Sequence, residues 1–173
     1  ALMESPKVID EVFEAFEKLT GRKYQRVESY KIEACGSGSI YVMGSAYETA
    51  MVAVDMAREE GIKAGLVMPR TFRPFPYNEI AQKLKNVKAV AALDRNCPMG
   101  AMGALFNEVA GALNANGVNA VMTNYIYGLG GRDTTASHIL EVIRETDKNA
   151  KAGKRVTDLQ GFINLRGPEL SFN

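Results

Sequence analysis

The sequence predicts a doubly wound α/β domain, a mainly parallel sheet covered by helices on both faces. Two observations carry that prediction. Short apolar runs at residues 39–43, 63–68, 87–93 and 118–126 are too brief for helices and too evenly apolar for half-exposed strands. Each run is followed by a helical stretch, so strand and helix alternate four times, the pattern of successive βαβ crossovers. With 173 residues and 46% hydrophobic content the chain can bury one sizeable core.

The elements follow in order. Ser5 as N-cap and Pro6 at the first helical position open a helix over residues 5–19, which Thr20-Gly21 stops. Val8, Val12, Phe13, Phe16 and Leu19 lie near one stripe of it. Residues 24–32 alternate imperfectly and carry polar groups on both faces, which suits an edge strand. The strand at 39–43 ends at Gly44-Ser45 and leads into a helix over 46–60, closed by Gly61. The strand at 63–68 is closed by Pro69, and a proline-rich stretch leads into a helix over 77–85. The strand at 87–93 ends at Asp94-Arg95, followed by a helix over 101–113 that stops before Asn116-Gly117. The strand at 118–126 ends in a glycine-rich turn, and a helix over 134–148 closes the core. Right-handed crossovers then place strand 39–43 centrally, with 63–68 on one side and 87–93 then 118–126 on the other. Residues 1–36 read as a helix and edge strand leading in, 37–150 as the core domain, and 151–173 as a C-terminal arm with a docking segment at Phe162 to Leu165.

Composition excludes several classes of function. Twenty-one basic and twenty acidic residues leave a formal charge of +1, which gives no electrostatic reason to bind nucleic acid or an anionic membrane. No stretch approaches the roughly 20 apolar residues of a bilayer span. Two cysteines, Cys35 and Cys97, with no CxxC pair exclude a zinc ribbon and a cysteine-ligated iron–sulfur cluster, and a lone histidine excludes histidine-rich metal sites. A reducing, cytoplasmic setting is expected.

In an open parallel sheet, ligands bind beyond the carboxyl ends of the strands at the switch point, here between Gly44-Ser45 and Asp94-Arg95. Gly128, Gly130, Gly131, Arg132 and Asp133 form a glycine-rich turn before a helix. Its N–H groups and Arg132 could hold an anion, or it is a plain strand-to-helix turn capped by Asp133 or Thr134. It matches no nucleotide fingerprint. Ser45 reads as an N-cap rather than a nucleophile, because MGSAY is not GxSxG and the lone His138 is a poor base candidate. Asp94 and Arg95 either pair locally or meet a ligand. Cys97 at the rim has no evident neighbouring base, and His138 reads as a surface or capping residue. Arg70, Phe72, Arg73 and Phe75, stiffened by Pro74 and Pro76, suit an interface anchor; alternatively the two phenylalanines plug the sheet end. No residue stands out as catalytic, as a metal ligand or as a cofactor ligand.

Together these motifs resemble the C-terminal part of the alpha subunit of 2-oxoacid:ferredoxin oxidoreductases, nearest the pyruvate type (pyruvate synthase). The resemblance runs in order through KVIDEVFEAFEKLTGRKY, VESYKIEA, YVMGSAYETA, LVMPRTFRPFP, KAVAALDRN and NYIYGLGGRDTT. It implies a three-layer α/β/α fold like the transketolase C-terminal domain, with a five-stranded mixed sheet in order 1-3-2-4-5 and strand 1 antiparallel. It also implies a parent enzyme that uses thiamine diphosphate, magnesium and iron–sulfur clusters to convert a 2-oxoacid and CoA to acyl-CoA and CO2, with ferredoxin as electron acceptor. Within that family this part is architectural and packs against other domains and subunits, so the isolated chain is expected to be inactive and to bind none of these cofactors alone. The competing reading is a free-standing module binding a small anion at the Gly128 to Asp133 turn. A third, an independent thiol or serine enzyme, rests on Cys97 or Ser45 without partners.

Overall fold

The structure is a computed structural model that describes residues 2–33 and 35–165. Eleven main elements follow one another: α1 (Ser5–Thr20), β1 (Val27–Tyr30), β2 (Gly38–Tyr41), α2 (Ala46–Glu59), β3 (Gly65–Pro69), α3 (Tyr77–Leu84), β4 (Ala89–Asp94), α4 (Ala104–Ala115), β5 (Val121–Ile126), α5 (Ala136–Ala152) and β6 (Gln160–Phe162). The strands form one sheet in order β1-β3-β2-β4-β5-β6. β1 pairs antiparallel with β3, and every other neighbouring pair is parallel. β2 is central, as the crossover argument requires.

Alternation along each strand sorts side chains between the two faces. Ile40, Leu66, Ala91 and Leu93 pack with Ala50, Val54, Ile139 and Ile143 of α2 and α5. Tyr41, Val67 and Val90 point the other way and pack with Ile80 and Leu84 of α3 and Val109 and Leu113 of α4. The result is the expected three-layer sandwich.

Several expectations need correction. The sheet has six strands rather than five, because residues 160–162 of the expected arm pair in parallel with β5, from Asn124↔Gln160 to Ile126↔Phe162. A three-residue strand carries too little periodicity to announce itself; the open edge of β5 recruits it, and Ile163 beside it is buried. The remainder of that arm, residues 166–173, lies outside the described residues. α4 begins at Ala104, not at 101, because Pro98–Gly100 forms a separate 3-10 turn and Gly103 is extended. α5 begins at Ala136, not at 134. Glu4, not Ser5, occupies the N-cap position of α1, and the Ser5 hydroxyl donates to the Leu2 carbonyl.

α1 lies apart from the sandwich. None of its residues is buried. One side is fastened by stacking of Phe13 and Phe16 on Tyr24 and by Arg26, which bridges Asp10 and Glu79. The adjoining part of the same stripe presents Val8 (55% exposed), Val12 (57%) and Leu19 (85%) to solvent. Among the described residues no helix is long and apolar enough to cross a membrane.

Candidate functional site

The carboxyl ends of β2 and β4 diverge at the sheet centre, and a cleft of about 410 Å³ opens between them, lined in part by Gly44, Ser45, Phe72, Asp94, Arg95 and Tyr127. It lies at the expected switch point. A second cleft of about 220 Å³ adjoins it and shares Ser45, Arg95 and Tyr127, with Gly128, Gly131, Arg132, Asp133 and Thr134 on its far side. Gly130 sits at the turn of the same loop at φ 64°.

Each candidate has an observed place. Asp94 is fully buried. Its Oδ1 accepts the Leu105 N–H at 2.7 Å, and its Oδ2 accepts the Phe106 N–H at 3.1 Å and the Asn124 amide at 2.9 Å. Asp94 thus caps α4 from the end of β4, and this fixes where that helix begins. Burial pushes its carboxyl above the ordinary aspartate value, against the lowering effect of those donors. The local ion pair considered for Asp94 and Arg95 is absent: Asp94 turns into the protein, while the Arg95 Nε donates to the Gly128 carbonyl at 3.3 Å.

The glycine turn does not open a helix directly, which corrects the premise of the N–H cradle. Leu129–Gly131 forms a 3-10 turn, and the chain runs extended at Arg132 before α5 starts four residues later. Neither Asp133 nor Thr134 caps α5. Thr135 does, accepting the His138 N–H, while His138 Nδ1 accepts the Thr135 N–H in return, a reciprocal capping box. His138 is therefore the capping residue expected of it. The Arg132 guanidinium donates to the Asn164 side chain at 3.3 Å, and Asn164 donates back to the Asp133 carbonyl at 3.0 Å. The segment after β6 thereby ties down the loop. Ser45 occupies the N-cap position of α2, but its hydroxyl makes no capping bond.

The stretch from Arg70 to Pro76 divides among three neighbours. Arg70 lies over the Tyr24 ring and pairs with Glu28 on β1 at 3.2 Å. Phe72 is half-buried and edges onto Phe75. Phe75 is buried at 8% exposure in the core beneath α3 and α4, so of its two readings the plug describes it. Arg73 lies over the Phe72 ring and pairs with Glu108 on α4, which also accepts the Tyr77 hydroxyl. Cys35 is buried, donates to the Gly38 carbonyl, and has its thiol pushed up by burial; Cys97 is half-buried.

Sequence reasoning missed Tyr127 and Asn124. Asn124 donates to the Ala92 carbonyl and to Asp94 and accepts the Gly103 N–H, so it stitches β5 to β4 and to the head of α4. A polar Thr-Asn pair inside an apolar strand was the available signal. The residues present do not fit an iron–sulfur cluster, because two cysteines cannot supply four thiolates. Magnesium-bridged diphosphate needs carboxylate oxygens turned to the metal. Asp94 spends both of its oxygens on protein donors, which leaves Asp133 as the one carboxylate of the two clefts, beside Arg95 and Arg132, and a lone carboxylate among arginines does not fit that group.

Residues 38–139 match pyruvate:ferredoxin oxidoreductase core domain II. The chain is 41% identical to the pyruvate synthase subunit PorA of Pyrococcus furiosus over 96% of its own length and 41% of that protein. It is 38% identical to the ketoisovalerate oxidoreductase subunit VorA of Pyrococcus horikoshii, over 92% of its length and 40% of that protein. The chain therefore spans about two fifths of the curated relatives it matches. A split-gene transketolase, solved as an inactive beta4 tetramer, superposes with a TM-score of 0.57 at 16% identity, over 75% of this chain and 45% of that one; this likeness concerns the fold alone.

Proposed function

The chain belongs to the pyruvate:ferredoxin oxidoreductase core domain II family, and from that premise we propose that it is the architectural domain of a 2-oxoacid:ferredoxin oxidoreductase. The parent enzyme converts a 2-oxoacid and CoA to acyl-CoA and CO2 and passes the electrons to ferredoxin. Thiamine diphosphate, magnesium and iron–sulfur clusters belong to its other domains and subunits. Pyruvate is the proposed acid. The relatives named for pyruvate and for ketoisovalerate stand at similar identities, so the choice of pyruvate rests on the motif resemblance. The cytoplasm is the proposed location.

The observation that carries this reading is the uncovered stripe of α1. Val8, Val12 and Leu19 expose apolar surface on a helix already fastened to the sandwich along its neighbouring flank. An apolar stripe left in water marks a contact with other protein. The relatives carry this helix within a much longer chain, which supports the rest of the parent enzyme as what covers it. The polar groups that looked chemical are engaged structurally. Asp94 caps α4, His138 caps α5, and Arg73 holds Glu108.

The test is to assemble the complex from this protein and the remaining subunits, with Val12→Glu and Leu19→Glu introduced together. The variant chain should fold normally, because neither side chain is buried, and should fail to enter the complex, with pyruvate-dependent ferredoxin reduction falling in step. Normal assembly of the variant would refute the reading. So would pyruvate-dependent dye reduction by the isolated wild-type chain.

A further inference from the structure

Two arginines line the smaller cleft at the sheet's carboxyl end, and among the described residues neither pairs with a carboxylate. Arg95 reaches it from the end of β4 and Arg132 from the glycine turn, and each donates only to a neutral oxygen, on Gly128 and Asn164 respectively. Neither forms an ion pair among the described residues. Arg26, Arg70, Arg73 and Arg144 each hold a carboxylate, whereas Arg58 and Arg155 also donate to carbonyl oxygens; what sets Arg95 and Arg132 apart is that both line one cleft. Asp133 is the one carboxylate on the wall of this cleft, so positive charge is in excess there. The Thr134 hydroxyl is shielded from solvent and has no partner. Ser45, Ala46 and Thr49 at the start of α2 also line it, where the Ser45 hydroxyl makes no capping bond and the Tyr47 N–H donates to the Gly44 carbonyl.

The larger cleft continues from the same Ser45, Arg95 and Tyr127 and offers Met43, Phe72, Leu93 and Leu105 as apolar walls. The two clefts together therefore present one cationic end and one apolar end. We propose that they bind a phosphate ester with an apolar aromatic body. The phosphate sits between Arg95 and Arg132 above the start of α2, and the body lies along Phe72 and Leu105. A phosphate has enough terminal oxygens to accept from two guanidinium groups and from helix N–H groups at once. The glycine turn serves this site by carrying Arg132 and by holding Arg95 through the Gly128 carbonyl, not through its own N–H groups. Neither cleft is lined by a residue of α1, so this reading and the α1 contact fail separately.

The experiment titrates the full chain with phenyl phosphate and with inorganic phosphate, reading the amide resonances of Ala46, Gly128, Gly131 and Thr134. Phenyl phosphate should bind saturably and at least about tenfold more tightly than inorganic phosphate, the value of a well-buried apolar group of modest size. Arg95→Ala and Arg132→Ala should each weaken both ligands by about tenfold, and raised ionic strength should weaken both. Phe72→Ala should erase the advantage of phenyl phosphate while leaving inorganic phosphate unchanged. Thermal melting checks that each variant is folded, and Arg95→Lys replaces Arg95→Ala if the latter is not. Absence of saturable binding at about millimolar ligand overturns the proposal. Undiminished binding by the Arg95→Ala/Arg132→Ala double variant overturns it as well. Loss of subunit assembly in Arg132→Ala, with no ligand bound by the wild-type chain, would make the cleft a protein contact instead.

Discussion

Asp94 at the end of β4 and Gly103 at the head of α4 approach so closely that a Cβ on residue 103 would stand 2.1 Å from the Asp94 carboxyl carbon. The glycine is required for space at this position, not for an unusual backbone, since its φ is −60°. Only without a side chain there can the carboxylate reach the Leu105 and Phe106 N–H groups. Gly103→Ala should therefore destabilise the chain by about 2–4 kcal/mol, the range of an overpacked core site combined with a disturbed buried hydrogen-bond set. Urea unfolding measures it, and a change under about 0.5 kcal/mol, the scale of a neutral surface substitution, would show that the carboxylate moves aside freely.

Asp94 also makes stability depend on pH. Burial raises its folded pKa above the ordinary 3.8. A carboxyl raised on folding binds its proton more tightly in the folded state. Its contribution is complete below 3.8 and declines as pH rises through the raised folded value. The stability gap between wild type and Asp94→Asn should thus move against the wild type as pH is raised across that window. The carboxyl carbon resonance of Asp94 should titrate with a midpoint above 3.8, and a midpoint below it would reverse the sign.

The sixth strand depends on Gly161, where a Cβ would lie 2.7 Å from the Tyr125 ring. Gly161→Ala should cost about 1–3 kcal/mol if β6 stays in place. Alternatively β6 detaches, and amide exchange at Asn124 and Ile163, whose N–H groups bond across this edge, should quicken. Unchanged stability together with unchanged exchange would mean that the Tyr125 ring simply turns away.

Phe75 and Arg73 should behave oppositely in the isolated chain. Phe75→Ala removes a buried aromatic and should cost about 3–5 kcal/mol. Arg73→Ala removes a half-exposed partner of Glu108 and should cost no more than about 1 kcal/mol. Equal losses would show that the ion pair supports the packing of the loop.

The capping box at the start of α5 supplies a further check. Thr135→Ala should lower stability by about 1 kcal/mol, the usual value of an N-cap side chain. His138→Ala, which keeps the Thr135 cap, should lower it by less. The reverse order, read by thermal unfolding, would place the greater weight on the imidazole.

The architecture was legible because it rests on local periodicity. Short apolar runs such as Ile40–Met43 can be buried only between two helical layers, so β2 had to be central and the cleft at the strands' carboxyl ends had to lie beyond Gly44 and Asp94. The individual jobs at that rim were less legible. Asp94, Arg95 and the glycine turn were identified as residues of interest, but whether Asp94 met its neighbour, a ligand or a helix was a question of direction. Sequence spacing does not encode which way a side chain at a strand end turns. Likewise Phe72 and Phe75 look equivalent in the proline-rich stretch, and only the position of α4 makes one a core residue and the other a wall of the cleft.

The sequence by itself determined the class of fold, the central strand and the edge position of β1, because each follows from pattern along the chain, and it carried the family through motifs that resemble it in order. Tertiary structure alone decided that residues 160–162 close the sheet, that α4 starts where Asp94 can cap it, that the stripe of α1 stays uncovered, and that Arg95 and Arg132 converge. The contacts behind them join groups apart in the chain, 11 positions for Asp94 with Leu105 and 36 for Asn124 with Gln160, where loop closure and packing, not local propensity, decide the outcome.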